Sequence, residues 1–440
     1  MSPNLAPPGP NSLPFVGIIP QLIRDPLGTF KNMHEKYGGF VRFQKGQSFR
    51  YICFDPDAIQ HILVGNARNY TKSKRYEKLK TFLGSGLVTA EGQLWQQQRK
   101  AAQPGFSPPA MKDYFNTIKK VTESTVQRIA KNKVMDLQSQ MIEITLSIIS
   151  QTMFHLDLSS QTEVLSPAFE YCVSFMNRRM EAFIDWDEYY VTSRGKKFNS
   201  YKTLIDKLML DVIRQRKEYR KENLVQHQDY LETLLQEQIK NPHDISDSII
   251  KDQLITFVMA GHETSANMLS WTLLLLLQHP KKMIEATEFA RSIDVSDYSD
   301  LPKLAPLENI LKESLRLYPP VWMISRDSLG PDTIMGYNIG MNSTINLCPY
   351  VTHRSDKYWN DPNSFIPERF EQEYNKKAYF PFSSGPRSCI GSQLALMEGK
   401  WILYQLLRNF NLRCDRVDLT PSISVVLKPK HPHIISAFKV

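Results

Sequence analysis

The sequence predicts a mainly α-helical fold with small β-sheets, and three observations carry that prediction. From Trp95 onward, apolar residues recur at helical spacing through several long segments. Residues 321–350 and 412–440 change to short runs of strand-forming character. No internal repeat, low-complexity linker or clear domain cut interrupts the chain, so residues 1–440 are expected to form a single domain with a Pro-rich segment at 1–20.

Each element follows from local chemistry. The Pro-rich start should lie extended over a surface. The near-alternation of VRFQKGQSFRYICF at 41–54 predicts a hairpin with Gly46 near its turn, and Asp55-Pro56 starts a short helix. Residues 71–80 are basic, and TFLGSGLVTAEG at 81–92 reads as an irregular loop. Segments 112–133, 137–154, 165–185 and 198–219 read as helices, and the charged stretch 222–242 as a loop plus a helix. A long helix runs from Asp247 to Gln278 and stops at His279-Pro280, because proline lacks the donor that would continue it. Another covers Pro306 to Leu317, ended by Pro319-Pro320. VWMISR, TIMGYNI and STINLCP read as short strands. A helix begins at Ser392 and runs to about Phe410, and strands fill the tail.

Composition narrows the function classes. Hydrophobic residues make up 42% and charged residues 22%, an ordinary globular mixture, and 22 Phe with 19 Tyr suffice to line a large apolar cavity. The net charge of +9 is spread along the chain, and neither zinc-finger spacing nor an aromatic–basic repeat accompanies it, so no nucleic-acid partner is expected. Five cysteines, odd in number and widely spaced, imply no disulfide framework and a reducing, cytoplasmic setting. MSPNLAPPGPNSLPFVG has no basic leader or long apolar run, and WTLLLLL is too short to span a bilayer. No transmembrane anchor is therefore expected, only peripheral membrane contact during uptake of substrate.

Five motifs carry chemistry. Phe380-Pro-Phe-Ser-Ser-Gly-Pro-Arg-Ser-Cys-Ile-Gly391 sets Phe382, Gly385, Arg387, Cys389 and Gly391 at fixed spacing. FVMAGHETSANMLSW holds Ala260, Gly261, Glu263 and Thr264 on the long helix. Glu313-Ser-Leu-Arg316 puts a carboxylate and a guanidinium on one helical face, and Phe365-Ile-Pro-Glu-Arg-Phe370 supplies Arg369. Trp95-Gln-Gln-Gln-Arg99 aligns an indole and a guanidinium one turn apart. Taken singly, the Glu–Arg pair means nearly nothing, since any helix surface can carry it. The cysteine segment is the specific one; its structural alternative is a buried thiol between a glycine turn and a helix, the reading preferred for Cys53, Cys172, Cys348 and Cys414.

In order and spacing these motifs resemble the cytochrome P450 family: FxxGxRxCxG, AGxET, ExxR, PERF and WxxxR, over nearly the whole chain. The resemblance implies the cytochrome P450 fold and a haem-thiolate monooxygenase that holds haem b (iron protoporphyrin IX), with Cys389 as the axial iron ligand. A thiolate donates electrons to haem iron and favours O–O cleavage, and it needs backbone donors and positive charge to stay ionised. Gly385 and Gly391 would permit the tight backbone path, Phe382 would limit water, and Arg387 would meet a propionate. Small Ala260 and Gly261 would let the long helix approach the porphyrin. Thr264 and Glu263 would deliver protons during dioxygen cleavage. Glu313, Arg316 and Arg369 would form a structural cluster behind the cysteine loop. Trp95, Arg99, Arg326 and His353 would be propionate partners.

The same resemblance places Phe82, Leu83, Leu87, Tyr171, Phe175, Met176, Phe257, Val321, Trp322, Met323 and Val425 around the substrate. Most are apolar, which suits a lipophilic ligand, although an ordinary core would look alike. LRLYPPVWMISR resembles P450 groups acting on long lipophilic molecules, such as bacterial carotenoid and fatty-acid hydroxylases, while terpenes, steroids and macrolides stay open. No flavin or ferredoxin domain is fused, so a monomer is expected that takes electrons from a separate ferredoxin or flavodoxin with its reductase. Lys100 and other basic residues would attract such an acidic donor. A peroxide-driven P450 is the first alternative, and the intact Glu263-Thr264 pair favours dioxygen over it. A non-catalytic haem-binding protein would not need that pair, and a purely structural helical protein would show no haem absorbance.

Overall fold

The alternating segment at the start of the chain forms its hairpin: Phe40–Lys45 pairs antiparallel with Ser48–Cys53, and Gly46 takes a φ of 64° beside the turn. The structure is a computed structural model that describes residues 6–11, 13, 15–46, 48–156, 162–181, 192–222, 229–242 and 245–440. It is mainly α-helical with small β-sheets, and it divides into two compact units. One comprises Met1–Lys74 with Lys312–Cys389, the other Arg75–Leu311 with Ile390–Val440.

The first unit is built on a five-stranded sheet. Ser48–Cys53 runs parallel to Thr344–Leu347, which pairs antiparallel with Ile324–Ser328, itself paired with Tyr70–Lys72. Pro8 accepts the Arg42 N–H at 2.9 Å, so this part of the Pro-rich segment lies along the first strand. Asp55 caps the Pro56–Gln60 helix by accepting from the N–H groups of Asp57 and Ala58, both at 3.1 Å. That helix runs on into a π-helical turn, His61–Gly65. Ile62 and Leu63 of the turn join Phe40, Ile324, Ile345 and Phe380 in one buried cluster.

In the second unit the helix Asp247–Gln278 has the bounds expected, and it is buried nearly all round. Leu137–Phe154 packs on it where Thr145 Oγ1 donates to the His262 carbonyl at 3.0 Å. Ser392–Asn409 packs on Pro108–Asn132 through an edge-on Phe115–Trp401 pair 4.9 Å apart. Trp271 Nε1 donates to the Leu427 carbonyl at 3.2 Å and so ties the long helix to the hairpin Pro421–Ile423/Leu427–Pro429. Ile434–Lys439 lies between Val134–Asp136 and Phe410–Arg413.

Two elements differ from expectation. Arg75–Leu83 is a helix whose Leu79, Phe82 and Leu83 share a buried face, so it spans most of the basic run and the first residues of the segment 81–92 read as a loop. Pro280–Ser292 is also a helix. Pro280 stops one helix and starts the next, since a first-turn position has no use for the missing N–H. Thr162–Glu181 and Ser193–Lys221 match the expected helices, while 182–185 and 223–228 of the expected segments lie outside the described residues. Among the described residues no helix is long and apolar enough to cross a membrane.

Candidate active site

Burial separates the cysteines. Cys53, Cys172 and Cys348 are buried and Cys414 is half-buried, whereas Cys389 is exposed. Burial pushes the thiols of Cys172 and Cys348 up to about 12, and that of Cys53 upward as well, so these three stay protonated. Cys389 ends a loop closed by its own N–H donating to the Phe382 carbonyl at 2.9 Å and by Ser388 N–H to Gly385 O at 3.0 Å. Gly385 has a φ of 74°, and a Cβ there would sit 2.0 Å from the Leu63 carbonyl oxygen, so only glycine fits. Gly391 differs: its φ is −90° and a Cβ would make ordinary contact with Phe106 at 3.6 Å. Neither backbone nor packing demands glycine there.

Behind the loop, within the same unit, Glu313 and Arg316 are wholly buried and doubly paired, Nε to Oε2 at 2.7 Å and Nη2 to Oε1 at 2.8 Å. Arg369 Nε and the Ile366 N–H also donate to Oε1, at 3.0 and 2.9 Å. The remaining Arg316 donors go to the carbonyls of His353, Pro362 and Ser364 at 2.7, 2.7 and 3.0 Å. Burial and the Arg316 charge push His353 down to about 3, which leaves it neutral. Its Nε2 accepts the Phe380 N–H at 3.0 Å. His353 is thus the link between the ion-pair cluster and the loop, and it is fully buried. Arg326 is buried in its strand and Arg387 half-buried in the turn after Gly385.

In the second unit, Thr264 Oγ1 donates to the Ala260 carbonyl at 2.6 Å, and Asn267 Nδ2 donates to the Glu263 carbonyl at 2.7 Å. Burial pushes the Glu263 carboxyl up to about 7, with Lys428 opposing and Glu170 reinforcing. Those two are themselves paired at 2.6 Å. At Gly261 a Cβ would lie 2.7 Å from Ile149, so the glycine lets the two helices pack. His262 Nδ1–H donates to the Val258 carbonyl at 2.6 Å, and its ring sits edge-on to Phe169. Trp95 and Arg99 are half-buried on one face of the Gly92–Ala102 helix.

The apolar candidates divide. Phe82 meets Phe169 and Phe198 edge-on, Phe175 stacks on Phe198 at 4.4 Å, and Leu83 and Met176 are fully buried, which makes these four packed core. Tyr171 turns to the Ser193–Lys221 helix, with its hydroxyl on the Arg194 carbonyl at 3.1 Å and Lys197 over its ring. Trp322 packs on Phe30 at 6.3 Å in the first unit, where Val321 lies on the buried cluster and Met323 is half-buried. Leu87 donates its N–H to Gln253 Oε1 at 3.3 Å, and Phe257 packs on Tyr230 at 4.5 Å. Val425 is half-buried beside its hairpin. Two groups escaped the sequence reading. Asp252 accepts the Ser85 N–H at 2.8 Å and fastens the loop before Leu87. Glu398, buried against Ser265, has its carboxyl pushed up to about 8 by burial. Its place among Leu394, Met397 and Trp401 at helical spacing was the available signal.

Residues 7–436 match the family model for cytochrome P450. The chain belongs to the cytochrome P450 family. Its curated relatives include LUTEIN DEFICIENT 5 of Arabidopsis thaliana, 29% identical over 86% of this chain and 68% of the relative. An Arabidopsis cytokinin hydroxylase is 26% identical over 94% and 83%. Cyclooctat-9-en-7-ol 5-monooxygenase of Streptomyces melanosporofaciens is 26% identical over 92% and 89%. This cytochrome P450 is a monooxygenase, and its family implies a haem b group. The donor set fits that group: the exposed sulfur sits on a loop fixed by Gly385 and by the Glu313–Arg316–His353 chain of bonds. When bound, haem with a thiolate ligand supplies the oxygen-activating chemistry.

Proposed function

We propose that this cytochrome P450 inserts one oxygen atom of O2 into an elongated lipophilic substrate, a fatty acid, carotenoid or other isoprenoid. Electrons come from a separate ferredoxin or flavodoxin and its reductase. The observation that carries the dioxygen reading is the acid–alcohol pair: Glu263, with its carboxyl raised to about 7, beside Thr264. A carboxyl at that value can hold and release a proton near neutral pH, as general acid catalysis requires. Cys389 would hold the iron, with Phe382 and Gly385 shaping its loop. Arg99, Arg326 and Arg387 with Trp95 meet the propionates. Thr264 orients and Glu263 supplies protons. The substrate class draws support from the name of the Streptomyces relative, a monooxygenase of an unsaturated alcohol. The net charge of +9 favours an acidic electron donor.

The first test is the ferrous–CO difference spectrum of haem-loaded protein. A thiolate-type band in wild type and its loss in Cys389→Ser are expected; an unaltered band in Cys389→Ser would refute the ligand assignment. A screen of long-chain fatty acids and isoprenoids for the low-to-high-spin shift then tests the substrate class. No shift with either class, beside a clear shift with a steroid or macrolide, would replace it.

A further inference from the structure

The cysteine loop has a second support that no family motif describes. It starts from the π-helical turn His61–Gly65, a wide turn of the kind that recurs at functional sites. Its closing bond runs from the Asn66 N–H to the His61 carbonyl at 2.7 Å. The turn abuts the loop at two points. The Leu63 carbonyl oxygen lies 2.0 Å from where a Gly385 Cβ would be, with Val64 at 3.3 Å. Gln60 Nε2, one residue before the turn, donates to Ser384 Oγ at 3.2 Å.

A π-turn is less favourable than the α-helix it interrupts, so something must hold it. Here one carboxylate grips both of its ends. Asp332 accepts from His61 Nε2 at 2.9 Å, at the first residue of the turn, and from Asn66 Nδ2 at 3.1 Å, at its cap. Asp332 also accepts the Tyr70 hydroxyl at 2.5 Å and the Thr333 N–H at 2.8 Å. Its side chain is only 9% exposed. Burial alone would raise that carboxyl, but the four donors outweigh it and hold it below the ordinary carboxylate range. The grip joins residues some 270 positions apart, so no local preference produces it.

We propose that Asp332 is a positioning residue for the haem-thiolate loop: by pinning His61 and Asn66 it sets the π-turn whose Leu63 carbonyl and Gln60 amide fix Gly385 and Ser384. The proposal rests on the reading that Cys389 carries the haem. It assigns Asp332 no contact with the iron, the haem or the substrate. Its effect is on how firmly the sulfur is presented.

The test uses haem-loaded full-length protein, reduced under CO in mild urea. The readout is the rate at which the thiolate band converts to the shorter-wavelength band of a protonated or lost sulfur ligand. Asp332→Ala should speed conversion by about tenfold or more, since hydrogen bonds to a charged group are the stronger kind. His61→Ala and Asn66→Ala should each speed it by less. Ser328→Ala is the control. It removes hydrogen bonds to the Gly340 carbonyl and from the Ser343 N–H in the same unit, at 2.8 and 2.9 Å, neither of them to the turn or to Asp332. It should convert at the wild-type rate. Wild-type rates for Asp332→Ala, or an equal acceleration in Ser328→Ala, overturn the proposal. If Asp332→Ala does not fold, the two end variants decide, and wild-type rates in both overturn it. Wild-type protein with no thiolate band at all would instead sink the ligand assignment itself.

Discussion

Replacing Glu313 by alanine removes four accepted hydrogen bonds at once: two from Arg316, one from Arg369 and one from the Ile366 N–H. The Arg316 guanidinium then stays wholly buried, left with carbonyl oxygens and the Trp359 ring as partners. Breaking a buried ion pair from one side costs about 3–5 kcal/mol, because the stranded charge keeps its desolvation penalty. Net stabilities of folded domains are about 5–15 kcal/mol, so the chain can remain folded while its margin shrinks severely. The loss falls on the unit that carries Cys389, since Arg316 holds the His353 carbonyl and His353 accepts the Phe380 N–H. Haem content per protein and thermal unfolding of the same preparation are the assays. Glu313→Ala should lose most of its haem and melt well below wild type. Glu313→Ala combined with Arg316→Met should recover part of the melting temperature, because the double change leaves no buried charge stranded between the two positions. Full haem content and unchanged melting in the single variant would refute the reasoning.

Three further outcomes are expected. Thr264→Ala and Glu263→Gln should lower product formed per electron consumed, with turnover down by about a hundredfold, and release hydrogen peroxide; unchanged coupling would remove the pair from proton delivery. Glu398 gives a pH signature. Its folded carboxyl titrates at about 8 against an ordinary 4.5, so the unfolded chain releases the proton first and stability falls as pH rises from 4.5 to 8, then levels. Glu398→Gln should flatten that fall, by an amount on the order of a few kcal/mol, in urea unfolding at pH 5 and 8; an unchanged pH slope would count against the assignment. Gly261→Ala should cost about 1–3 kcal/mol by pressing on Ile149, and Ile149→Ala should relieve it; wild-type melting of the single variant would contradict the packing argument.

Much of this protein was legible in one dimension because its strongest signals are local. The Asp247–Gln278 helix has its cap at Ser246 and its stop at Pro280 written in adjacent residues. Glu313 and Arg316 share a face because three residues separate them on a helix. Spacing around Cys389 identified the family, which the match over residues 7–436 established. What sequence could not supply were contacts between distant segments. Gly261 and Ile149 meet across two helices, so a glycine read as room for a cofactor also makes room for an isoleucine. His353 read as a propionate partner, and its burial beside Arg316 with the Phe380 N–H on its ring adds a structural link that spacing did not show. Phe82 and Phe175 read as lining because apolar residues look alike wherever they stand, and only their rings against Phe198 make them core.

The sequence by itself determined the helical framework, the chemistry of the cysteine segment and the family, since each depends on residues near one another along the chain. Tertiary structure alone decided that Cys414, read as a buried thiol, is only half-buried, which carboxyls are driven toward neutrality, and that Asp332 closes on both ends of a turn near residue 63. The reason is physical: burial and long-range hydrogen bonds are properties of the neighbours a fold assembles, and no local pattern encodes who those neighbours are.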